Sequence, residues 1–310
     1  MPVSAKENHP ERKGIYLAPK RKNPHLTIMQ GFRPSPEPKG VQPHASGYVT
    51  VQVRDRLGNQ MFLMAAAYSL AKKLNKILTL NKDVSSPLRG PRYWDTMFRW
   101  APGFEVRKDE TFVQFERVTP LTFNDYYTGQ TQAENLSLQG LFDHPRYFQE
   151  VADELRAKFQ APRLLWARPA ETNLYISVHV RRGDFVYLGN FELLPLSYYV
   201  RAMEFMTNFF DGNKQIWFLV FSDETNWCRT HFPDQFHYRY ADELLESKAP
   251  EDHLWAMSQC DHHIIANSSF SWWGAYLGGQ PSRKVIAPKY WYHPSKYRAR
   301  EPYPDHWWVF

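Results

Sequence analysis

The sequence predicts an α/β fold with two open parallel sheets and a cleft between them. Two observations carry this. Short β-branched or apolar runs alternate with helix-length segments in both halves of the 310-residue chain, the pattern of βαβ crossovers. Hydrophobic residues make up 43% and aromatic residues 16%, enough to fill a substantial core.

Residues 1–45 hold eight prolines, eight Lys or Arg and three Glu without sustained periodicity, and read as a basic, mobile tail. Tyr48 to Val53 is a β-branched run and reads as a strand. Leu57-Gly58-Asn59-Gln60 follows as a turn, then the alanine-rich stretch Met61 to Leu74 as a helix. Ile77 to Leu80 supplies the next strand and completes one parallel unit. Residues 85–146, rich in aromatics and prolines, show no clear period. A helix from Phe148 to Phe159 closes the first half, residues 46–165.

The second half, residues 166–290, alternates more plainly. Leu174 to Val180 is an apolar strand, Leu196 to Phe210 a helix, Ile216 to Phe221 a strand and Glu224 to Thr230 a short helix. Glu251 to Gln259 is a helix with acids in its first turn, where the helix dipole favours them. His263 to Ala266 ends a strand, Phe270 to Leu277 is a helix stopped by Gly278-Gly279, and Val285 to Ala287 is a last strand. Residues 291–310 are expected to pack back on the body.

Charge narrows the partners. The 38 Lys and Arg against 32 Asp and Glu give +6, but the tail carries most of it and leaves the rest of the chain at +1. A near-neutral body speaks against a nucleic-acid face, so an anionic ligand must meet local charge. No apolar run of about 18 residues is present to span a membrane, and no charged-then-apolar leader opens the chain. Cys228 and Cys260 are too few for a disulfide framework or a cysteine zinc site, so a reducing, cytoplasmic compartment is the default.

Four polar segments fall at strand ends, where ligands of such sheets bind. His179-Val180-Arg181-Arg182-Gly183-Asp184-Phe185 is the strongest. Arginine forks grip phosphate oxygens bidentately and stabilise the charge of a departing diphosphate, although an Arg–Asp pair bracing a loop fits equally well. In Asn267-Ser268-Ser269-Phe270-Ser271 a strand gives way to a helix whose free N–H groups suit a phosphate or ribose. Plain capping by Ser268 or Ser269 is the other reading, and Trp272-Trp273 suits core packing better than a sugar platform. Gly58, Asn59 and Gln60 form a turn that lets backbone approach a pyrophosphate, a weak signal with one glycine. Ser222-Asp223 offers either a helix cap or a carboxylate for a guanine base.

No two of the fifteen aspartates lie two positions apart, so no Asp-x-Asp pair is available to hold a divalent ion on a diphosphate. His262 and His263 point to opposite faces of a strand and make a poor metal site. No metal or cofactor is expected.

In this order the segments resemble the family of GDP-fucose-dependent α-1,2-fucosyltransferases. The matching stretches are Leu57 to Phe62, Gly140 to Phe148, Val178 to Phe185, Phe221 to Asp223 and Met257 to Leu277. The resemblance implies a B-type glycosyltransferase fold, two Rossmann-like domains facing across a cleft, with the donor mainly on the second. It implies inverting, metal-independent transfer of L-fucose from GDP-β-L-fucose to the 2-hydroxyl of a galactoside. Fucosyl transfer in another linkage, or silent nucleotide or glycan binding, are the alternatives.

By the same resemblance Arg181 and Arg182 hold the diphosphate and His179 orients the loop or donor. Asp223 and Asn267 to Ser269 lie on the nucleotide side, and Gly58 to Gln60 approach from the other half. Asp184 is the candidate general base. Partners are then GDP-fucose and a galactose-terminated oligosaccharide such as lactose, with no nucleic acid and no membrane span. Animal relatives work in the Golgi lumen, the alternative compartment for a chain trimmed of its anchor. Two departures stand out: Asp55-Arg56 replaces a common glycine pair, and Phe185 replaces a tyrosine.

Overall fold

The computed structural model describes residues 47–51, 53, 55–80, 93–101, 113–117, 134–168, 170, 172–189, 191–210, 212, 214–279, 282–293, 295 and 302–310. The basic tail, and most of residues 85–133 of the irregular stretch 85–146, lie outside the described residues. All that is described belongs to one compact unit.

A four-stranded sheet takes the order β2-β1-β4-β3. Its strands are β1 (Tyr48–Val51), β2 (Ile77–Leu80), β3 (Val113–Arg117) and β4 (Leu136–Gly140), all parallel. Helix α1 (Leu57–Lys73) crosses from β1 to β2, and α2 (Ala152–Phe159) follows the sheet after two 3₁₀ turns at Pro145–Tyr147 and Gln149–Val151. The second sheet is six-stranded and also parallel, in the order β10-β9-β8-β5-β6-β7. It contains β5 (Leu174–Val180), β6 (Ile216–Ser222), β7 (His237–Tyr240), β8 (His262–Ile264), β9 (Val285–Ala287) and β10 (Trp308–Val309). Its helices are α3 (Leu196–Phe209), α4 (Thr225–His231), α5 (Ala241–Leu244), α6 (Pro250–Ser258) and α7 (Ser269–Leu277). Among the described residues no helix is long and apolar enough to cross a membrane.

Several elements differ from the sequence expectation. Helix α1 begins at Leu57, so Gly58, Asn59 and Gln60 form its first turn and not a turn before it. Its N-cap is Arg56, which makes no side-chain capping bond, and the second helical position is a glycine; both hide the start from capping and propensity rules. Strands β3 and β4 arise in the stretch that showed no period. Strand β7 alternates exposed and half-buried residues at the sheet edge and lacks the apolar run that marks a central strand.

The core explains why α1 shows so little amphipathic pattern. Its residues are buried almost all round, from Leu57 to Ala71, because the helix lies between the first sheet and α7. Ala65, Ala66 and Ala67, each fully buried, let the backbones approach. Phe62 lies 4.6 Å from Trp272 and 5.1 Å from Trp273 between ring centroids, and Phe148 stacks on Trp273 at 5.4 Å. Trp272 and Trp273 are fully buried, so the tryptophan pair is core and no sugar platform.

Three buried histidines are held neutral. Burial depresses His179 to about 3, with the Arg181 charge adding to it. Burial likewise takes His262 to about 4 and His263 well below its usual range. His262 accepts a hydrogen bond from the Lys284 N–H at 3.0 Å, and His263 shares a 2.8 Å bond with the Ser177 hydroxyl. In the unfolded chain these rings take up protons near pH 6.5. The unfolded state therefore binds more protons below that value, and stability falls as the pH drops. A urea midpoint clearly lower at pH 5 than at pH 7, above the range where ordinary carboxylates titrate, is the expected result; equal midpoints would contradict it.

Candidate functional site

The carboxyl ends of β5, β6 and β8 and the start of α1 come together. Asp55 precedes α1 with φ 64, in the left-handed region that glycine adopts freely and aspartate tolerates. The Asp55 carbonyl accepts a 2.9 Å bond from the Gln60 side-chain amide, which closes the turn. Gly58 then lies against the start of α7: a Cβ there would come within 2.5 Å of the Ser269 carbonyl carbon and 2.7 Å of the Phe270 nitrogen. The Ser269 hydroxyl donates to Asn59 Oδ1 at 2.7 Å and locks the contact.

Two helix N-termini thus abut. The N–H groups of Leu57, Gly58 and Asn59, and of Ser269, Phe270 and Ser271, precede the first intrahelical bonds. Neither helix has a side-chain cap or an acidic residue in its first turn, so Ser268 is the N-cap residue of α7 without a capping bond. Each end carries roughly half a positive charge. Their meeting favours an anion.

The loop after β5 adds arginines. Arg181 pairs with Asp223 at 2.7 Å and with Asp184, and Asp184 pairs also with Arg56 at 3.1 Å. Asp223 accepts from the Arg182 N–H at 3.0 Å, while Arg182 reaches Glu224 at 3.3 Å and lies 4.0 Å over the Trp227 ring. Gly183 permits this: a Cβ there would sit 2.4 Å from Asp223 Oδ2. Ser222, not Asp223, turns its side chain to the chain ahead and accepts from the Glu224 N–H at 2.9 Å. Behind the loop, His179 is 6% exposed, its Nδ1 has no hydrogen-bond partner and its ring lies 5.4 Å from Phe270.

The expected residues therefore divide. Arg181, Arg182, Asp184, His179, Asp223, Gly58, Asn59, Ser269 and Phe270 converge. Gln60 is buried behind the turn. Asn267 spends its amide on the carbonyls of Glu192 and Trp291, each at 2.8 Å, and the buried Ser271 hydroxyl serves the carbonyls of Ala266 and Ser268. Arg56 and Glu224, which flank the expected residues in sequence, join the site, and so does Trp227, which no sequence signal marked. An open pocket of about 370 Å³ adjoins them, lined by Asp223, Glu224, Thr225, Asn226, Trp227 and Asp242. Asp242 follows an edge strand and offers no local sequence signal.

The family model of glycosyl transferase family 11 matches residues 20–309. An α-1,2-colitosyltransferase of Escherichia coli is 28% identical over 294 residues, covering 84% of this chain and 97% of that protein. The galactoside 2-α-L-fucosyltransferase SEC1 of Bos taurus is 24% identical over 246 residues, 75% of this chain and 65% of its own length. Among solved structures, the fucosyltransferase NodZ from Bradyrhizobium superposes with a TM-score of 0.44 at 12% identity, covering 74% of this chain and 93% of that one.

The helix contact makes a direct forecast. Gly58→Ala forces α1 and α7 apart and is expected to weaken binding of an anionic ligand, read with GDP, by tenfold or more, on the scale of one lost charge-assisted bond. Gly189→Ala, where a Cβ meets nothing within 4 Å, leaves it unchanged. Equal GDP affinity in both variants would refute the role of the contact.

Proposed function

The chain belongs to glycosyl transferase family 11, and we propose that it transfers L-fucose from GDP-β-L-fucose to the 2-hydroxyl of a galactoside, with inversion and without a metal ion. The chain is a glycosyltransferase with parallel α/β sheets; donor, linkage and acceptor are our reading. The observation that carries it is the meeting of two uncapped helix starts with Arg181 and Arg182. Such a place suits a diphosphate that gains charge as its bond to the sugar breaks. The halves then work as two Rossmann-like domains facing across a cleft, with the donor on the second sheet.

Asp223, Glu224 and Asp242 around the adjoining pocket favour a base edge rich in donors. Guanine presents a ring N–H beside an amino group, which supports GDP as the carrier. In the reaction the acceptor hydroxyl attacks the anomeric carbon from the face opposite GDP. The bond to the β-phosphate oxygen breaks, and Arg181 with the helix N–H groups receives the charge. His179, held neutral by burial, packs its ring against Phe270 in the first turn of α7 and positions that helix start. A terminal galactose, as in lactose, is the proposed acceptor.

The Escherichia coli relative favours a second reading, α-1,2-colitosyl transfer in the same site. Competition between GDP-fucose and the corresponding colitose nucleotide separates the two.

Incubation with GDP-fucose and lactose in EDTA is expected to release GDP and give a 2-linked α-fucoside. Arg181→Ala should lower that rate about a hundredfold, the scale of a lost oxyanion donor. A different linkage would overturn the acceptor assignment alone. No binding of GDP-fucose would overturn the donor, and full activity in Arg181→Ala the assignment of the charge.

A further inference from the structure

Beside the arginine loop lies a cluster that the donor reading does not use. The segment after β5 and the segment after β9 are clamped together: Phe191 and Tyr292 form an antiparallel bridge, and the Asn267 amide holds the carbonyls of Glu192 and Trp291. Three rings run along the clamp. Phe185 stacks on Phe191 at 4.3 Å and Phe191 on Tyr292 at 5.1 Å, while the Arg181 guanidinium lies 5.3 Å from the Phe185 ring. At the far end the Glu192 carboxylate faces His293 Nε2 at 3.8 Å, and His293 Nδ1 shares a 2.7 Å bond with the Ser295 hydroxyl.

Packing does not require this carboxylate. Its side chain is 32% exposed and that of His293 49%, so the pair is screened by water and contributes little to stability. It stands on the carboxyl-end side of the second sheet, the same side as the arginines. Asp184, the other nearby carboxylate, has both oxygens engaged by Arg181 and Arg56. A hydroxyl nucleophile needs a carboxylate or imidazole within hydrogen-bond reach, and the stacked rings hold the segment that carries Glu192 beside Arg181.

We propose that Glu192 is the general base that takes the proton of the acceptor hydroxyl, with His293 positioning its carboxylate and the Phe185–Phe191–Tyr292 stack holding its segment beside the arginine loop. This rests on the donor reading above. The acceptor O–H bond breaks and its proton passes to Glu192. The oxygen forms the new bond to the anomeric carbon, and the electron pair of the broken glycosyl bond leaves on the β-phosphate oxygen.

The test measures transfer from GDP-fucose to lactose, together with GDP affinity by calorimetry, in Glu192→Gln, Glu192→Ala and His293→Ala. The Glu192 carbonyl, and not its side chain, makes the Asn267 bond, so the variants retain the clamp. Glu192→Gln is expected to lose a hundredfold or more in kcat with GDP affinity within twofold of wild type, and formate to restore turnover to Glu192→Ala. His293→Ala lowers kcat, by less than Glu192→Gln does, and leaves KM for lactose within about twofold. Wild-type kcat in Glu192→Gln, or a parallel loss of GDP affinity without formate rescue, overturns the proposal and leaves the donor reading standing. A wild-type protein that does not bind GDP-fucose overturns both.

Discussion

Two positive helix ends pressed together are the constraint around which the rest of the molecule is arranged. Helices normally meet a carboxylate or a capping hydroxyl at their starts. Here α1 and α7 meet each other, with Gly58 against Ser269 and the Ser269 hydroxyl tied to Asn59. Neither start has a side-chain cap or an acid in its first turn. The contact is paid for by burial further along the same two helices, where Phe62, Phe148, Trp272 and Trp273 interlock. Fully burying each such ring contributes roughly 1.5–3 kcal/mol, far above the few tenths to 1 kcal/mol at stake in an exposed helix end. The aromatic core holds the two starts in register whether or not an anion is present.

The arginines follow the same logic of charge held ready. Guanidinium groups of Arg56, Arg181 and Arg182 alternate with Asp184, Asp223 and Glu224, so the loop is locally balanced and the body stays near neutral. Arg181 is the least exposed of the three arginines at 15%, Arg56 the most at 59%. Pairs with partners this exposed are worth about 1 kcal/mol or less. An incoming diphosphate can therefore exchange with the carboxylates at small cost, and the guanidinium of Arg181 stays preorganised beside Phe185.

Much of this was legible in the sequence, because strand ends rich in Arg, Gly, Asn and Ser are unusual and the apolar runs before them are plain. The central strands β5 and β6 and the helices α3 and α7 stood within a residue or so of where they were expected. What was hidden depends on tertiary context. The start of α1 lacks a cap and carries a glycine, since its partner is another helix. Edge strand β7 is half exposed, and Arg56 is recruited by Asp184 from far along the chain. Asn267 and Ser271 look like ligand residues by type, yet their side chains tie backbone to backbone. Composition cannot distinguish a buried amide that clamps loops from one that faces a nucleotide. Glu192 and His293 are distant in sequence and meet only through that clamp.

The central claim is that the helix starts and the arginine loop form a site for a diphosphate. Calorimetric titration with GDP, GMP and guanosine at two salt concentrations tests it most directly. GDP is expected to bind at least about tenfold tighter than GMP, guanosine weaker still, and the advantage of GDP to shrink as salt screens the charges. Equal affinity for GDP and GMP at low salt would contradict it and return Arg181 and Arg182 to a bracing role in the loop.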